Sequence, residues 1–171
     1  MNSGLIHIYS GNGKGKTTAA LGLALRAAGA GKKVLFSQFV KGLPYSEHNI
    51  LKQIPGIDLR IFGRDCFIEK DPEPEDIEAA KNGFEHISEH LQHDKYDIII
   101  LDEINIALYF NLLSANKVIN ALQSRKTMAE IIITGRYPPD SLVEIADLHT
   151  EMLEHKHYYN LGVKARKGIE F

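Results

Sequence analysis

The stretch that decides the fold reads Ser10-Gly11-Asn12-Gly13-Lys14-Gly15-Lys16-Thr17-Thr18. It follows an apolar, β-rich run at 5–9 and precedes a segment dense in Ala, Leu and Gly, which places it at a turn between a strand and a helix. The glycines at 11, 13 and 15 allow backbone conformations that a Cβ atom would forbid, so successive amide N–H groups can converge on phosphate oxygens at the positive end of the helix. The pattern predicts a phosphate-binding loop.

Two side chains of this loop add chemistry to the backbone amides. Lys16 places a positive charge beside the phosphates, and Thr17 places a hydroxyl where a Mg²⁺ ion bridging them would lie. The loop departs from the pattern G-x-x-x-x-G-K-T at one position, because Ser10 stands where the first glycine is expected. We therefore expect an unusual loop shape. The alternative, a glycine-rich turn without a ligand, gives the two lysines that flank Gly15 no packing role.

The rest of the chain alternates strand-like and helix-like segments. Apolar runs at 5–9, 34–39, 57–62, 96–101 and 131–134 are separated by stretches of helical spacing, which predicts βαβ units. The runs 98–101 and 131–133 are apolar on both faces, as expected for central strands covered on both sides. The predicted fold class is α/β, a single domain over 1–171 with three layers and helices on both faces of a mostly parallel β-sheet.

Two helices are clear from the residue pattern. The first covers 16–28 and is expected to pack closely on the sheet before Gly29 and Gly31 end it. The second has Pro74 in its first turn and an apolar stripe with spacings of three and four residues. That stripe consists of Ile77, Ala80, Phe84, Ile87 and Leu91. From about His149 onward we find no clear period.

Two acids follow the central run at 98–101. Asp102 and Glu103 resemble the end of a Walker B strand, where one carboxylate holds Mg²⁺ directly or through water. Ligands of open α/β sheets bind at the carboxyl ends of the strands, so we expect these acids and the phosphate loop to meet around one metal ion. Two alternatives stay open. The acids can complement a helix dipole, or Glu103 can act as a general base toward water, as in an ATPase.

Arg136 ends another apolar run, in the sequence Thr134-Gly135-Arg136. An arginine at this edge of the sheet could bind phosphate oxygens bidentately. The alternative is a surface arginine in a turn. The H-x-x-E-H pattern from His86 to His90 is a weaker signal, because the apolar stripe of that helix leaves both histidines beside a solvated face and no third ligand segment follows.

Composition excludes several classes of partner. The formal net charge is -2, so no basic field exists to attract nucleic acid or an anionic membrane. Cys66 is the one cysteine, which excludes an internal disulfide, and no window approaches the ~18 consecutive apolar residues of a membrane span. The residues at 1–4 lack the pattern of a signal peptide. We expect a soluble protein of the reducing cytoplasm.

Together these elements resemble the P-loop corrinoid adenosyltransferases, bacterial enzymes that transfer the 5′-deoxyadenosyl group of ATP to the cobalt of a reduced corrinoid. The resemblance covers nearly the whole chain. It lies in residues 10–18, 21–22, 26–29, 38–42, 101–103, 132–136, 146–147, 156–157, 162–165 and 168–171.

The resemblance implies a RecA-like P-loop NTPase fold, a homodimer and attack by Co(I) on the ribose C5′ of ATP with the whole triphosphate leaving. No protein nucleophile is expected, and the ATP would lie along the loop in a reversed sense. By this resemblance, residues 11–18 bind ATP, with Lys16 and Arg136 on the phosphates and Asn12 orienting the nucleotide. Thr17 and Glu103 would hold Mg²⁺ or Mn²⁺, with Asp102 acting on the metal indirectly. Lys16, Glu103 and Arg136 would thus be the catalytic residues, and a reductase would supply Co(I) through a transient contact.

The chain departs from the family pattern in two ways. Longer members carry a segment before the first strand that helps to close the site, so here the lid is either absent or built from another loop. Some members use an aromatic pair that includes a tryptophan to displace the lower cobalt ligand, and this chain has no tryptophan. Phe62 and Phe67 are our hypothetical corrinoid-binding substitutes, with a role in the core as the alternative.

Two other functions stay open from the sequence. A P-loop ATPase or nucleotide kinase would use Glu103 toward water or a hydroxyl acceptor and would release ADP. A non-enzymatic carrier would deliver a corrinoid or sense ATP, and it would bind its ligands without turnover.

Overall fold

The computed structural model describes residues 4–40, 42, 45–63 and 72–171. Its strands are β1 (Ile6–Ser10), β2 (Val34–Phe39), β3 (Ile57–Phe62), β4 (Ile98–Asp102), β5 (Glu130–Thr134) and β6 (Leu148–Glu151). Its α-helices are α1 (Lys16–Gly29), α2 (Ser46–Leu51), α3 (Pro74–His90), α4 (Ile104–Tyr109), α5 (Ala115–Gln123) and α6 (Asp140–Val143), and a 3₁₀ turn covers Tyr158–Leu161. The strands form one parallel sheet in the order β3-β2-β4-β5-β1-β6.

The central strands carry the core of the molecule. All residues of β4 are buried, as expected for a strand that is apolar on both faces. Ile99 and Leu101 belong to a cluster that includes the buried faces of α3, α4 and α5, whereas Ile98 and Ile100 belong to the cluster of α1 and α2. Side chains of a strand alternate between the two faces of a sheet, so this division gives the three predicted layers. The prediction of an α/β fold with helices on both faces is confirmed.

Small residues let α1 lie close to the sheet. Its buried face consists of Ala20, Ala24 and Ala27, together with Lys16 at its start. The chain leaves the helix through Ala30 and turns at Gly31, whose φ is 77°. The predicted stop after residue 28 is therefore one residue short of the observed end.

On the other face, α3 packs against the end of β3. Gly83 lies so close to the Phe62 ring that an added Cβ would be 2.4 Å from its Cγ. The Phe62 ring also contacts Phe39 and His86, with centroid distances of 5.5 and 5.8 Å. Phe62 thus fills the gap between helix and sheet that the missing side chain of Gly83 leaves.

The histidines of the H-x-x-E-H pattern take part in ring packing. His86 contacts His90 edge to face, and His90 contacts Tyr96 in the same way. Burial, and to a smaller extent the neighbouring His86, lowers the pKa of His90. Both side chains are half-buried, so the expectation that they lie beside a solvated face is only partly correct.

The sixth strand is absent from the sequence-based prediction. β6 lies parallel to β1 at the edge of the sheet, and its sequence Leu-His-Thr-Glu is exposed along its whole length. It is held by backbone pairing and by the Asp147 carboxylate, which accepts from the Ile6 amide at 2.8 Å. Within the described residues, no helix combines the length and the apolar character needed to cross a membrane.

Candidate functional site

The carboxyl ends of the central strands and the phosphate loop line one cleft of about 530 Å³. It is formed by residues 12–18 with Leu21, residues 45–47 at the start of α2, Glu103, Arg136, His157 and residues 168–171. We call this space the cleft. It brings together the predicted loop residues 12–18 with Glu103 and Arg136, three segments that are far apart in the sequence.

The loop leads into α1 without a side-chain cap. Gly15 precedes the helix with φ of 123°, a conformation that favours glycine, and no side chain caps the first amides. Lys16 is buried, and its Nζ donates to the carbonyl oxygens of Gly11 and Gly13 at 2.8 Å each. The ammonium group is therefore held inside the turn of the loop, beside uncapped helix amides that favour an anion.

Two loop glycines have a packing role that the sequence did not reveal. The Gly13 amide donates to the Met152 carbonyl oxygen at 2.7 Å, and an added Cβ at Gly13 would lie 2.7 Å from that same oxygen. An added Cβ at Gly11 would lie 2.4 Å from it. These glycines allow the chain after β6 to lie directly on the loop. The sequence-based explanation, approach of a phosphate alone, is therefore incomplete.

Ser10, the departure from the loop pattern, is buried and pairs with β6. Its Oγ lies 2.7 Å from Nε2 of His149. A glycine at this position would lack that hydrogen bond. The substitution thus ties the base of the loop to the edge strand.

The carboxylate of Asp102 joins the loop to the sheet. It is completely buried and accepts from Thr17 Oγ1 at 2.9 Å, Thr134 Oγ1 at 2.6 Å and Gln38 Nε2 at 2.9 Å. A buried carboxylate without such partners would be strongly unfavourable, so three donors compensate for its lost hydration. Because Thr17 donates its only hydroxyl proton to Asp102, the lone pairs of its oxygen remain available on the other side.

Glu103 takes a different direction from its neighbour. Its backbone is left-handed, with φ of 59°, a conformation uncommon for residues other than glycine, and its amide donates to Thr134 Oγ1 at 2.9 Å. This turn lets Asp102 face the sheet while Glu103 lines the cleft. Gly135, with φ of 127°, passes close by: an added Cβ there would be 3.3 Å from Glu103 Oε2.

Arg136 is exposed at the wall of the cleft. Among the residues that the structure describes, no hydrogen bond or ion pair holds its guanidinium group. A cation in that situation can reach an anion in the cleft without breaking an existing contact.

Gln38 and His48 extend the contacts of Asp102, a role that sequence reasoning missed. Gln38 Oε1 lies 2.7 Å from His48 Nε2, and His48 Nδ1 accepts from the Tyr45 amide at 3.3 Å. Because Nδ1 accepts, Nε2 carries the proton and donates to Gln38. The available signal was the polar Gln38 inside β2, a strand that is otherwise almost wholly apolar and completely buried.

Lys14 is directed toward the C-terminal segment, which we define as residues 157–171. Its Nζ donates to Glu170 Oε1 and Tyr158 OH, each at 2.8 Å. These hydrogen bonds raise the pKa of Lys14, and the bond to Glu170 has the larger effect. Sequence reasoning placed Lys14 on ATP through the resemblance and did not assign a role to Glu170 or Tyr158.

The two candidate corrinoid-binding residues have different outcomes. Phe62 packs between Gly83 and Phe39 and does not line the cleft. Phe67 lies outside the described residues. A corrinoid role for either side chain stays a prediction.

The donors that meet at the loop suit a hard cation. Thr17 offers a hydroxyl and Glu103 a carboxylate, and both line the cleft with oxygen ligands of the kind that Mg²⁺ prefers. The buried Asp102 carboxylate already accepts three hydrogen bonds. In residues 4–40, 42, 45–63 and 72–171, no group of three or more His, Cys, Asp or Glu side chains could hold a metal ion by itself. This donor set fits an ion held mainly by substrate phosphates and water.

Comparison with known proteins gives a consistent family. A family model described as ATP:corrinoid adenosyltransferase BtuR/CobO/CobP matches residues 2–171. The chain is 36% identical over 169 residues to the corrinoid adenosyltransferase of Escherichia coli strain K12, covering 98% of this chain and 86% of that protein. It is 34% identical over 170 residues to that of Pseudomonas aeruginosa strain PAO1, with 98% and 84% covered. The corrinoid adenosyltransferase CobA of Salmonella typhimurium strain LT2 is 36% identical over 169 residues, with 98% and 86% covered.

Proposed function

The chain belongs to the ATP:corrinoid adenosyltransferase family, and on that premise we propose how its cleft carries out the reaction. The enzyme transfers the 5′-deoxyadenosyl group of ATP to the Co(I) of a reduced corrinoid. The observation that carries the residue roles is the hydrogen bond of 2.9 Å from Thr17 to Asp102, because it fixes the phosphate loop against the end of β4. Glu103 and Arg136 line the same cleft.

In this reaction the electron pair of Co(I) attacks C5′ of ATP and forms the cobalt–carbon bond. The bond between C5′ and its oxygen breaks, and its electron pair leaves with triphosphate. The protein therefore has to stabilise a departing polyanion, and it needs no group that activates water. We assign this task to the loop of residues 11–18, to Lys16 and to Arg136, with Asn12 orienting the nucleotide.

Thr17 and Glu103 are the residues that would hold Mg²⁺ or Mn²⁺, which would neutralise charge on the triphosphate when bound. Asp102 acts indirectly in this proposal. By accepting the hydrogen bond from the Thr17 hydroxyl, it would leave the lone pairs of that oxygen available to the metal. We further propose that the enzyme works as a homodimer and receives electrons for the corrinoid through transient contact with a reductase.

The test is an analysis of products. Purified protein with ATP, Mg²⁺ and chemically reduced cobalamin should yield adenosylcobalamin and triphosphate in equal amounts, measured by the absorbance of the corrinoid and by anion-exchange chromatography. Release of ADP and orthophosphate would instead support an ATPase, and ADP with a phosphorylated acceptor would support a kinase. A single-turnover experiment at excess protein separates an enzyme from a carrier, since a carrier would bind both ligands and form no cobalt–carbon bond.

A further inference from the structure

The C-terminal segment lies on the same cleft as the phosphate loop. Residues 168–171 line it directly, as does His157. The segment has a defined shape there. The Gly168 amide donates to the Phe171 carbonyl oxygen at 2.7 Å, and the Glu170 amide donates to the Arg166 carbonyl oxygen at 3.0 Å. These backbone bonds form turns that bring Glu170 to the loop.

One carboxylate fastens the segment to the phosphate loop. Glu170 Oε1 accepts from Lys14 Nζ at 2.8 Å and also from the Tyr158 hydroxyl. Arg166 adds its backbone amide at 2.7 Å and its guanidinium at 3.3 Å. The contacts with Arg166, Lys14 and Tyr158 hold the pKa of Glu170 well below its usual range. The pKa of Lys14 is raised, so this pair stays ionised throughout the neutral pH range.

A second contact fastens the segment to α2. The Ser46 hydroxyl donates to the Phe171 carbonyl oxygen at 3.0 Å. Ser46 is the first residue of α2 and lines the cleft with its neighbours Tyr45 and Glu47. The segment is thus bonded to the loop through Glu170 and to α2 through Phe171, and it spans the space between them.

The geometry distinguishes two roles for Lys14. A lysine that binds phosphate in the loop is expected to keep its ammonium group inside the turn, where Lys16 donates to the Gly11 and Gly13 carbonyl oxygens. The ammonium of Lys14 instead donates to the Glu170 carboxylate, 156 positions further along the chain, and to the Tyr158 hydroxyl, 144 positions further along. Its charge is already neutralised by Glu170, and the ring of Tyr158 lies beneath it, with 5.5 Å from Nζ to the centroid.

We propose that Glu170 and Tyr158 are positioning residues for nucleotide binding, which hold residues 168–171 as a wall of the cleft with Lys14 as their anchor on the loop. This proposal rests on the proposed function, because it takes ATP as the occupant of the cleft. It assigns Lys14 to the protein wall, in contrast to the role toward ATP that the family resemblance implies.

A double-mutant cycle of K14Q and E170Q tests the proposal. Each single variant should raise the KM for ATP and the Kd of MgATP about 3- to 10-fold, and the factor should be the same for both variants. The kcat and the KM for the corrinoid should not change. The double variant should be no worse than either single variant, because both break the same contact between the C-terminal segment and the loop. Y158F should have a smaller effect in the same direction. The matched control is E85Q, which breaks the exposed pair of Glu85 with Lys117 on α5 and should change nothing.

Two results would overturn the proposal. If K14Q weakens MgATP much more than E170Q and the two effects add, Lys14 binds phosphate directly. If E170Q tightens MgATP, then Glu170 competes with the nucleotide for Lys14, and the segment obstructs the cleft.

Limited proteolysis separates failure of this inference from failure of the proposed function. Lys164, Arg166 and Lys167 are exposed trypsin sites within the segment. Without any ligand, E170Q should be cut there several-fold faster than the unmodified protein and E85Q should not, whatever reaction the enzyme catalyses. Equal rates of cleavage in all three proteins would show that Glu170 does not hold the segment.

Discussion

Asp102 links three parts of the site through a single buried side chain. Its carboxylate accepts hydrogen bonds from Thr17 of the loop, Thr134 of β5 and Gln38 of β2. Gln38 in turn fixes the orientation of the carboxylate through His48, whose ring is held by the start of α2. A change at Gln38 should therefore affect Thr17 through Asp102, the carboxylate to which both side chains donate.

Replacing Gln38 by Met keeps the volume of the side chain but removes both of its hydrogen bonds. The Asp102 and His48 atoms that bind Gln38 in the unmodified protein would be buried without this partner. Their loss of a hydrogen bond should lower the free energy of unfolding by about 1–3 kcal/mol. The Mg²⁺ concentration needed for half-maximal activity should rise about 10- to 100-fold. Urea unfolding and a Mg²⁺ titration of activity measure the two effects.

Gln53→Met is the control for this variant. The Gln53 side chain is exposed, and its one hydrogen bond within the described residues goes to the Asn49 carbonyl oxygen, so its loss should change stability by less than about 0.5 kcal/mol. A normal Mg²⁺ requirement in Gln38→Met would argue against an orienting role for this residue.

At the scale of elements, glycines of the loop and of α1 have opposite roles. Gly13 lies against the Met152 carbonyl, whereas an added Cβ at Gly22 would meet nothing within 4 Å. Gly22 is exposed in the interior of α1, where glycine is unfavourable because it loses more backbone entropy than alanine on folding.

Gly22→Ala should therefore stabilise the protein by about 0.5–1 kcal/mol without changing the affinity for MgATP. Gly13→Ala should destabilise it and weaken MgATP, because the new methyl group displaces the chain after β6 from the loop. Thermal unfolding and calorimetric titration distinguish the two variants. Loss of stability in Gly22→Ala would contradict this entropic explanation.

At the scale of the whole molecule, the cleft links ligand binding to folding. A ligand that binds only the folded state at 100 times its Kd stabilises that state by about 2.7 kcal/mol, which corresponds to about 5–10 °C in Tm for a chain of this size. MgATP should produce such a shift in the unmodified protein. Lys16→Ala should keep the fold and lose the shift, since the buried ammonium group of the loop is gone. An undiminished shift in Lys16→Ala would remove Lys16 from the binding site.

The sequence predicts those parts of the molecule whose physics is local or periodic. The strands from β1 to β5 are apolar runs, and α1 and α3 have helical spacing, so their positions follow from burial alone. The loop and the acids at the end of β4 could be expected to meet because parallel strands end at one edge of a sheet. Thr17 and Asp102 do meet there.

The remaining parts depend on contacts that no local pattern encodes. β6 is exposed throughout and lacks an apolar period, and its place in the sheet comes from backbone pairing with β1. The C-terminal segment is fixed by single polar contacts such as that of Glu170 with Lys14, 156 residues away. The packing role of Gly13 equally depends on Met152, and the sequence gives no indication of that pairing.

The distance along the chain between Lys14 and Glu170 has a kinetic consequence. Closing so long a loop costs entropy that the pairing of β1 with β5 and β6 can offset but a few polar contacts cannot, so this contact is expected to form after the sheet. A refolding chain should regain its circular dichroism before it regains affinity for MgATP. During synthesis on the ribosome, the core of the sheet would likewise form before the nucleotide site is complete. The protein would then bind nucleotide only at the last stage of its folding.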